Sequence, residues 1–225
     1  MYLKSKPTSN PTINITRGEN HLNFDDKRDG VLYIPNSYTS DKAMPLLVLL
    51  HGSGGSVASW KKTYNDAENY KMIVLLVESR ERTWDIIISY SREKGFGEFN
   101  QDAIFLDKAL QYTFSHCLVD KTKIALGGFS DGASYALSLG LLNGGLFTHL
   151  IAYSAGFIKK SDNFVGKPKV YITHGKKDKM LPISLSQKNI VPYLKKEGYD
   201  VIYIEHEEGH LINGEIIHGS LDWFV

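Results

Sequence analysis

Residues 124–137 constrain the fold more than any other part of the chain, because their character changes twice within a short distance. They begin with the apolar run Ile124-Ala125-Leu126, which is typical of a buried strand. They then pass through the glycine-rich residues 127–132 and continue from Ala133 as a sequence that favours a helix. A strand, a sharp turn and a helix in this order predict one unit of a layered α/β sheet.

The turn itself, Gly128-Phe129-Ser130-Asp131-Gly132, fits the pattern G-x-S-x-G. In this pattern a serine oxygen stands clear of the sheet on strained backbone, and its neighbours two residues away lack bulk. Free N–H groups at the start of the helix favour developing negative charge. Ser130 is therefore a candidate nucleophile. The alternative is an ordinary glycine-rich turn in which Ser130 only caps the helix.

Length and composition narrow the class of protein. A chain of 225 residues suits one domain with a full core. The 26 Lys and Arg balance 25 Asp and Glu, which gives no electrostatic case for a nucleic-acid partner or an anionic membrane surface. The lone Cys117, on a predicted helix, excludes an internal disulfide and fits a reducing compartment. The N-terminus has no long apolar run, so we expect no signal peptide, no membrane span and a cytoplasmic location.

Apolar runs and turn residues predict strands that alternate with helices. The predicted strands are residues 12–16, 30–34, 44–50, 72–78, 124–126, 150–153, 169–174 and 200–205. The predicted helices are residues 57–64, one from Asp102, one after the turn, 184–196 and 216–224. This alternation indicates a single α/β domain over residues 1–225 with a mostly parallel sheet. We expect a loose arm over residues 1–11, irregular structure over 79–100 and no large cap domain.

Acyl transfer by serine also needs a base and a group that orients the base. Asp178 follows a predicted strand in a polar turn and is the candidate acid; alternatively it is a solvated carboxylate paired with Lys177 or Lys179. His210 follows the last strand after a glycine and is the candidate base, whereas His206 still belongs to the strand. The chain order Ser, Asp, His is that of the α/β-hydrolases.

The oxyanion of such a reaction needs two backbone N–H donors. One candidate is Asp131, the residue after the nucleophile, and the other is Ser53, with Gly54 as the alternative. Ser53 and Gly54 lie in the loop His51-Gly52-Ser53-Gly54-Gly55, whose glycines let the backbone approach a carbonyl. We interpret His51 as a structural brace for this loop. A phosphate-binding loop is disfavoured because no Gly-Lys-Ser/Thr ending is present.

From about Gly30 to Phe224 the sequence resembles the α/β-hydrolase superfamily. The resemblance rests on the loop 51–55, the turn 128–132, His174-Gly175-Lys176-Lys177-Asp178 before Pro182, and Gly209-His210. More narrowly they resemble its small, lidless phospholipase/carboxylesterase family. Residues 79–80 and 83–85 also look like a segment of polyhydroxybutyrate depolymerases and feruloyl esterases. The family resemblance implies hydrolysis of carboxylic esters of small or lipid-like molecules through an acyl-enzyme, without a cofactor or metal. Ser130 argues against the branch similar to dienelactone hydrolase, which carries cysteine.

The resulting hypothesis is a serine carboxylesterase with a small-molecule ester as its partner. A thioesterase or peptidase of the same fold, and a binding protein without activity, stay as alternatives. Trp84, Phe129 and Tyr135 are candidates to line the substrate pocket or to belong to the core. The oligomeric state, monomer or homodimer, is open.

Overall fold

The structure, a computed structural model, describes residues 1–91, 93 and 95–225. Its strands are β1 (Gly18–His21), β2 (Gly30–Ile34), β3 (Met44–Leu50), β4 (Ile73–Val77), β5 (Val119–Phe129), β6 (His149–Tyr153), β7 (Lys169–Gly175) and β8 (Val201–His206). Its α-helices are α1 (Thr63–Tyr70), α2 (Asp85–Ile88), α3 (Gln101–His116), α4 (Asp131–Leu142), α5 (Val191–Lys196) and α6 (Gly214–Phe224).

The strands form one sheet in the order β1-β2-β4-β3-β5-β6-β7-β8. The pairs β1–β2 and β2–β4 are antiparallel, and every pair from β4 to β8 is parallel. The expected α/β fold with a mostly parallel sheet is therefore confirmed. Because the strands β3 to β8 run in the same direction, the loops that follow β3, β5, β7 and β8 meet at one edge of the sheet.

Apolar side chains of the central strands point alternately to two cores. In β3, Val48 packs with α3 and α4 on one face, whereas Leu47 and Leu49 pack with α1 and α6 on the other. Both faces of the strand are thus covered, which explains its unbroken apolar sequence.

The prediction of a strand over residues 12–16 is wrong, since β1 begins only at Gly18. The N–H groups of Thr12 and Ile13 both donate to Ser115 O, at 3.2 and 3.3 Å. This segment therefore uses two of its N–H groups at the end of α3, and residues 12–16 pair with none of the strands described. The expected irregular stretch 79–100 contains α2, and its residues Arg92 and Lys94 lie outside the described part of the chain.

Two expected helices are divided. Residues 57–64 form a tight turn, Val57–Trp60, followed by α1. Residues 184–196 form a widened helical segment, Leu185–Ile190, followed by α5. Pro192 has no N–H to donate to the preceding turn, which explains why the hydrogen bonding changes there.

The expected loose arm is attached to the body of the protein, although it forms no helix or strand. Leu3 N donates to Asn143 Oδ1 at 2.7 Å, and the N–H groups of Lys4 and Ser5 donate to Asp107 Oδ1 at 2.9 Å. Ser5 is buried. A cavity of about 460 Å³ lies between this arm and the beginning of β5, at the edge of the sheet opposite Ser130. Within the described residues, no helix has the length and apolar character needed to cross a bilayer.

Candidate active site

Ser130 lies on strained backbone between β5 and α4, with φ 57° and ψ −118°. Its N–H donates to Tyr153 O at 2.9 Å, and its side chain makes no capping hydrogen bond to α4. The flanking glycines are required by space: a Cβ on Gly128 would lie 2.6 Å from the carbonyl of Gly132, and one on Gly132 would lie 2.3 Å from Leu50 O. The turn therefore presses α4 against β3 and projects Ser130 from the sheet edge.

His210 connects Ser130 to Asp178. Its Nε2 lies 2.9 Å from Ser130 Oγ, and its Nδ1 lies 2.6 Å from Asp178 Oδ2. Because an ionised carboxylate only accepts hydrogen bonds, Nδ1 carries the proton and Nε2 of the neutral ring can accept from the serine hydroxyl. The ring packs against Phe129, with 4.7 Å between the two centroids. The structure thus brings the three predicted side chains together in one hydrogen-bonded chain.

Asp178 is buried, while Lys177 and Lys179 are exposed. Its Oδ1 accepts the N–H groups of Met180 and Leu181 at 2.9 and 2.8 Å. Burial pushes the pKa of this carboxyl upward, but hydrogen bonds from His210 and the Leu181 N–H outweigh burial and hold the pKa below its usual value. Asp178 is therefore ionised at neutral pH and is not the solvated carboxylate of the alternative interpretation.

His206, the other histidine considered as a base, does not reach Ser130. It ends β8, and neither of its ring nitrogens has a hydrogen-bond partner within the described residues. Burial lowers its pKa. The turn after β8 carries the chain onward to His210, which leans back over the sheet edge.

His174 and Ser186 support Asp178, and sequence reasoning missed this contact. His174 is fully buried, and its Nε2 lies 2.8 Å from Leu181 O and 3.4 Å from Asp178 Oδ2. Since both of these oxygens accept, Nε2 carries a proton. Nδ1 lies 2.7 Å from Ser186 Oγ. The sequence signals were the place of His174 at the end of a strand and in the motif that runs to Asp178, and neither indicates a side-chain contact with Asp178.

Ser53 and Gly54 differ in the use of their N–H groups. Gly54 N donates to Arg82 O at 2.8 Å, and Gly55 N donates to Gly52 O at 2.9 Å. Within the described part of the chain the Ser53 N–H has no acceptor. The N–H of Asp131, in the first turn of α4, has no partner inside the helix. Ser53 and Asp131 thus offer unused donors beside Ser130.

His51 braces this loop, as the sequence indicated. Its contact with Arg28 was not predicted. The buried ring places Nδ1 2.7 Å from Gly52 O and accepts the Ser79 N–H on Nε2 at 3.0 Å. Burial lowers the pKa of His51, so the ring is neutral. Arg28 Nη2 contacts His51 Nε2 at 3.1 Å and donates to Gly55 O at 2.9 Å. Arg28 lies in a loop far from these residues in sequence, and no motif marks it.

The aromatic candidates for the pocket separate into two groups. Trp84 and Tyr135 are fully buried and contact each other, with ring centroids 4.9 Å apart, and Trp84 Nε1 donates to His51 O at 2.9 Å. They belong to the core. Phe129 instead lines a cavity of about 370 Å³ beside Ser53 and His210.

Comparison with known proteins identifies the family of the chain. A model of the phospholipase/carboxylesterase family matches residues 37–216. A search of curated proteins finds no match.

Solved structures share the fold at low sequence identity. The carboxylesterase of Bacillus cereus is 19% identical with a TM-score of 0.65, over 89% of this chain and 94% of that chain. The phospholipase/carboxylesterase of Dyadobacter fermentans DSM 18053 is 19% identical with a TM-score of 0.64, over 95% and 98%. The S-formylglutathione hydrolase FrmB of Staphylococcus aureus is 15% identical with a TM-score of 0.70, over 93% and 99%. The chain thus belongs to the phospholipase/carboxylesterase family and is a serine ester hydrolase with the α/β-hydrolase fold.

Proposed function

We propose that this protein is a carboxylesterase in which Ser130 is the nucleophile, His210 the general base and acid, and Asp178 the residue that orients His210. The observation that carries the proposal is the hydrogen-bonded chain from Ser130 Oγ to His210 Nε2, at 2.9 Å, and from His210 Nδ1 to Asp178 Oδ2, at 2.6 Å. A nucleophile, a base and an orienting carboxylate in this order are what acyl transfer requires.

In the first half of the reaction, Ser130 Oγ bonds to the ester carbonyl carbon while its proton passes to His210 Nε2. The carbonyl oxygen becomes an anion that accepts the N–H groups of Ser53 and Asp131. The bond to the alcohol oxygen then breaks, and His210 gives its proton to that oxygen. In the second half, a water molecule replaces the alcohol, the same proton transfers release the acid, and Ser130 is restored.

Two features of the site support these steps. The ionised Asp178 stabilises the positive charge that His210 gains, since its lowered pKa keeps it charged at neutral pH. In comparable sites each oxyanion donor lowers the activation barrier by about 3 kcal/mol. The bracing of the Ser53 loop by His51 and Arg28 keeps one donor in place before the substrate binds.

The test is turnover of p-nitrophenyl acetate and labelling by a fluorophosphonate, each with wild type, Ser130→Ala and the exposed control Ser40→Ala. We expect Ser130→Ala to lose labelling and at least about 1,000-fold in kcat. Ser40→Ala should match wild type in both assays. Full activity of a folded Ser130→Ala protein would refute the assignment. A wild type that neither turns over nor labels would favour a binding protein without activity.

A thioester is the second candidate substrate, because one structural neighbour is named an S-formylglutathione hydrolase. The same serine and imidazole would serve, with a thiolate as the leaving group. Parallel kcat/KM values for an oxygen ester, a thioester and a peptide amide with the same acyl group separate the candidates. A preference for the thioester or the amide would overturn the carboxylesterase proposal.

A further inference from the structure

The cavity beside His210 has walls from four parts of the chain, one of which is Phe129 at the end of β5. The loop after β3 supplies Ser53 and its neighbours, the turn before α1 supplies Ser59 and Trp60, and the segment after His210 supplies the last wall. The lining residues are His51, Gly52, Ser53, Gly55, Ser59, Trp60, Phe129, His210, Leu211 and Ile212. The cavity thus adjoins both the candidate base and a candidate oxyanion donor.

The chemistry of these walls indicates an apolar occupant. None of the described lining residues is an Asp, Glu, Lys or Arg. Trp60, Phe129, Leu211 and Ile212 supply the apolar surface. The volume of about 370 Å³ is near the lower end of the roughly 300–1,000 Å³ of small-molecule pockets. A charged group would lose its hydration here without gaining an Asp, Glu, Lys or Arg of opposite charge among the described lining residues, whereas a small aromatic or branched alkyl group would bury its surface.

The position of His210 decides which part of an ester this cavity receives. In the proposed reaction, Nε2 of His210 gives its proton to the alcohol oxygen, so that oxygen must lie within hydrogen-bond distance of this atom. Leu211 and Ile212 continue the cavity wall from His210, so a group attached to this oxygen can lie against them. In the sheet order the loop after β7 lies on the side of Ser130 away from β3, whose following loop forms one wall of the cavity, and its Met180 is 74% exposed. The acyl part therefore meets an open surface.

We propose that the cavity binds the alcohol part of the substrate and selects esters of small, uncharged aromatic or branched alcohols. This inference rests on the proposed function, since it uses His210 as the group that protonates the leaving alcohol. It assigns Phe129, Leu211 and Ile212 as residues that determine specificity.

The experiment uses two ester series and a variant that fills the cavity. The alcohol series is methyl, ethyl and benzyl acetate, and the acyl series is methyl acetate, butyrate and benzoate, all followed by acid release. We expect Ile212→Trp to lower kcat/KM for benzyl acetate about tenfold or more relative to methyl acetate, as steric changes in an apolar pocket do. The kcat/KM values for the three esters of the acyl series should all change by the same factor in this variant. The control is Glu215→Trp, which adds the same ring at an exposed site on α6 and should leave both series unchanged.

A complementary variant covers the case in which Ile212→Trp does not fold. Ile212→Ala enlarges the cavity, and it should raise kcat/KM for 1-phenylethyl acetate relative to methyl acetate. Selective effects of these variants on the acyl series, or equal effects on both series, would overturn the proposal. The failure of the proposed function has a different signature, because the wild type would then hydrolyse neither series and Ser130 would not be labelled.

Discussion

Gly132, in the first turn of α4, tests how closely the serine turn packs against β3. Helix propensity predicts that Gly132→Ala stabilises a helix by about 1 kcal/mol. Packing predicts the opposite, because the new Cβ would lie 2.3 Å from Leu50 O and 2.5 Å from His51 O. Reaching even 3.0 Å from Leu50 O requires a shift of about 0.7 Å (3.0 minus 2.3). Both oxygens belong to the backbone at the end of a central strand, so α4 must move instead.

We therefore expect Gly132→Ala to lower the free energy of unfolding by about 3 kcal/mol, the upper part of the range for overpacked cores. Urea unfolding followed by circular dichroism measures this value. The matched control is Gly214→Ala in the first turn of α6, where the nearest atom to a new Cβ is His218 Cε1 at 3.8 Å. The control should be neutral or slightly stabilising. A Gly132→Ala protein at least as stable as wild type would refute the close approach of α4 to β3.

Three further changes probe the surroundings of the site. Ser186→Ala removes the partner of His174 Nδ1, and we expect about 1 kcal/mol lower stability and a lower kcat with unchanged KM; unchanged kcat would mean a purely structural contact. Arg28→Met removes the brace of the Ser53 loop and should lower kcat about tenfold or more in steady-state assays, whereas a change in KM alone would contradict the bracing role. Burial, with nearby lysines, lowers the pKa of His149 from 6.5 to about 4, so the unfolded chain binds this proton more tightly than the folded one. Stability should therefore fall as pH falls through this window, and His149→Phe should reduce that fall in urea titrations at about pH 7 and about pH 4.5; an unaltered pH dependence would exclude His149 as its source.

Much of the fold and the candidate site could be predicted because the relevant signals are local. Apolar runs with glycine and proline between them predicted the strands of a mostly parallel sheet, since a strand buried on both faces must be apolar throughout. The G-x-S-x-G pattern around Ser130 is visible within five residues, although the space that requires Gly132 is limited by Leu50 O and His51 O at the end of β3. The order of Ser130, Asp178 and His210 after successive strands is also visible along the chain, because parallel strands bring their following loops to one edge.

Only the tertiary structure decided which groups at that edge meet. The sequence favoured His210 over His206 as the base, and the fold supplies the contact itself, because the turn after β8 brings His210 Nε2 to 2.9 Å from Ser130 Oγ. The fold engaged the Gly54 N–H with Arg82 O and left the Ser53 N–H without an acceptor among the described residues. The brace by Arg28 likewise joins segments that are distant along the chain. Such contacts depend on the relative placement of packed elements, and no periodicity or local motif in the sequence encodes that placement.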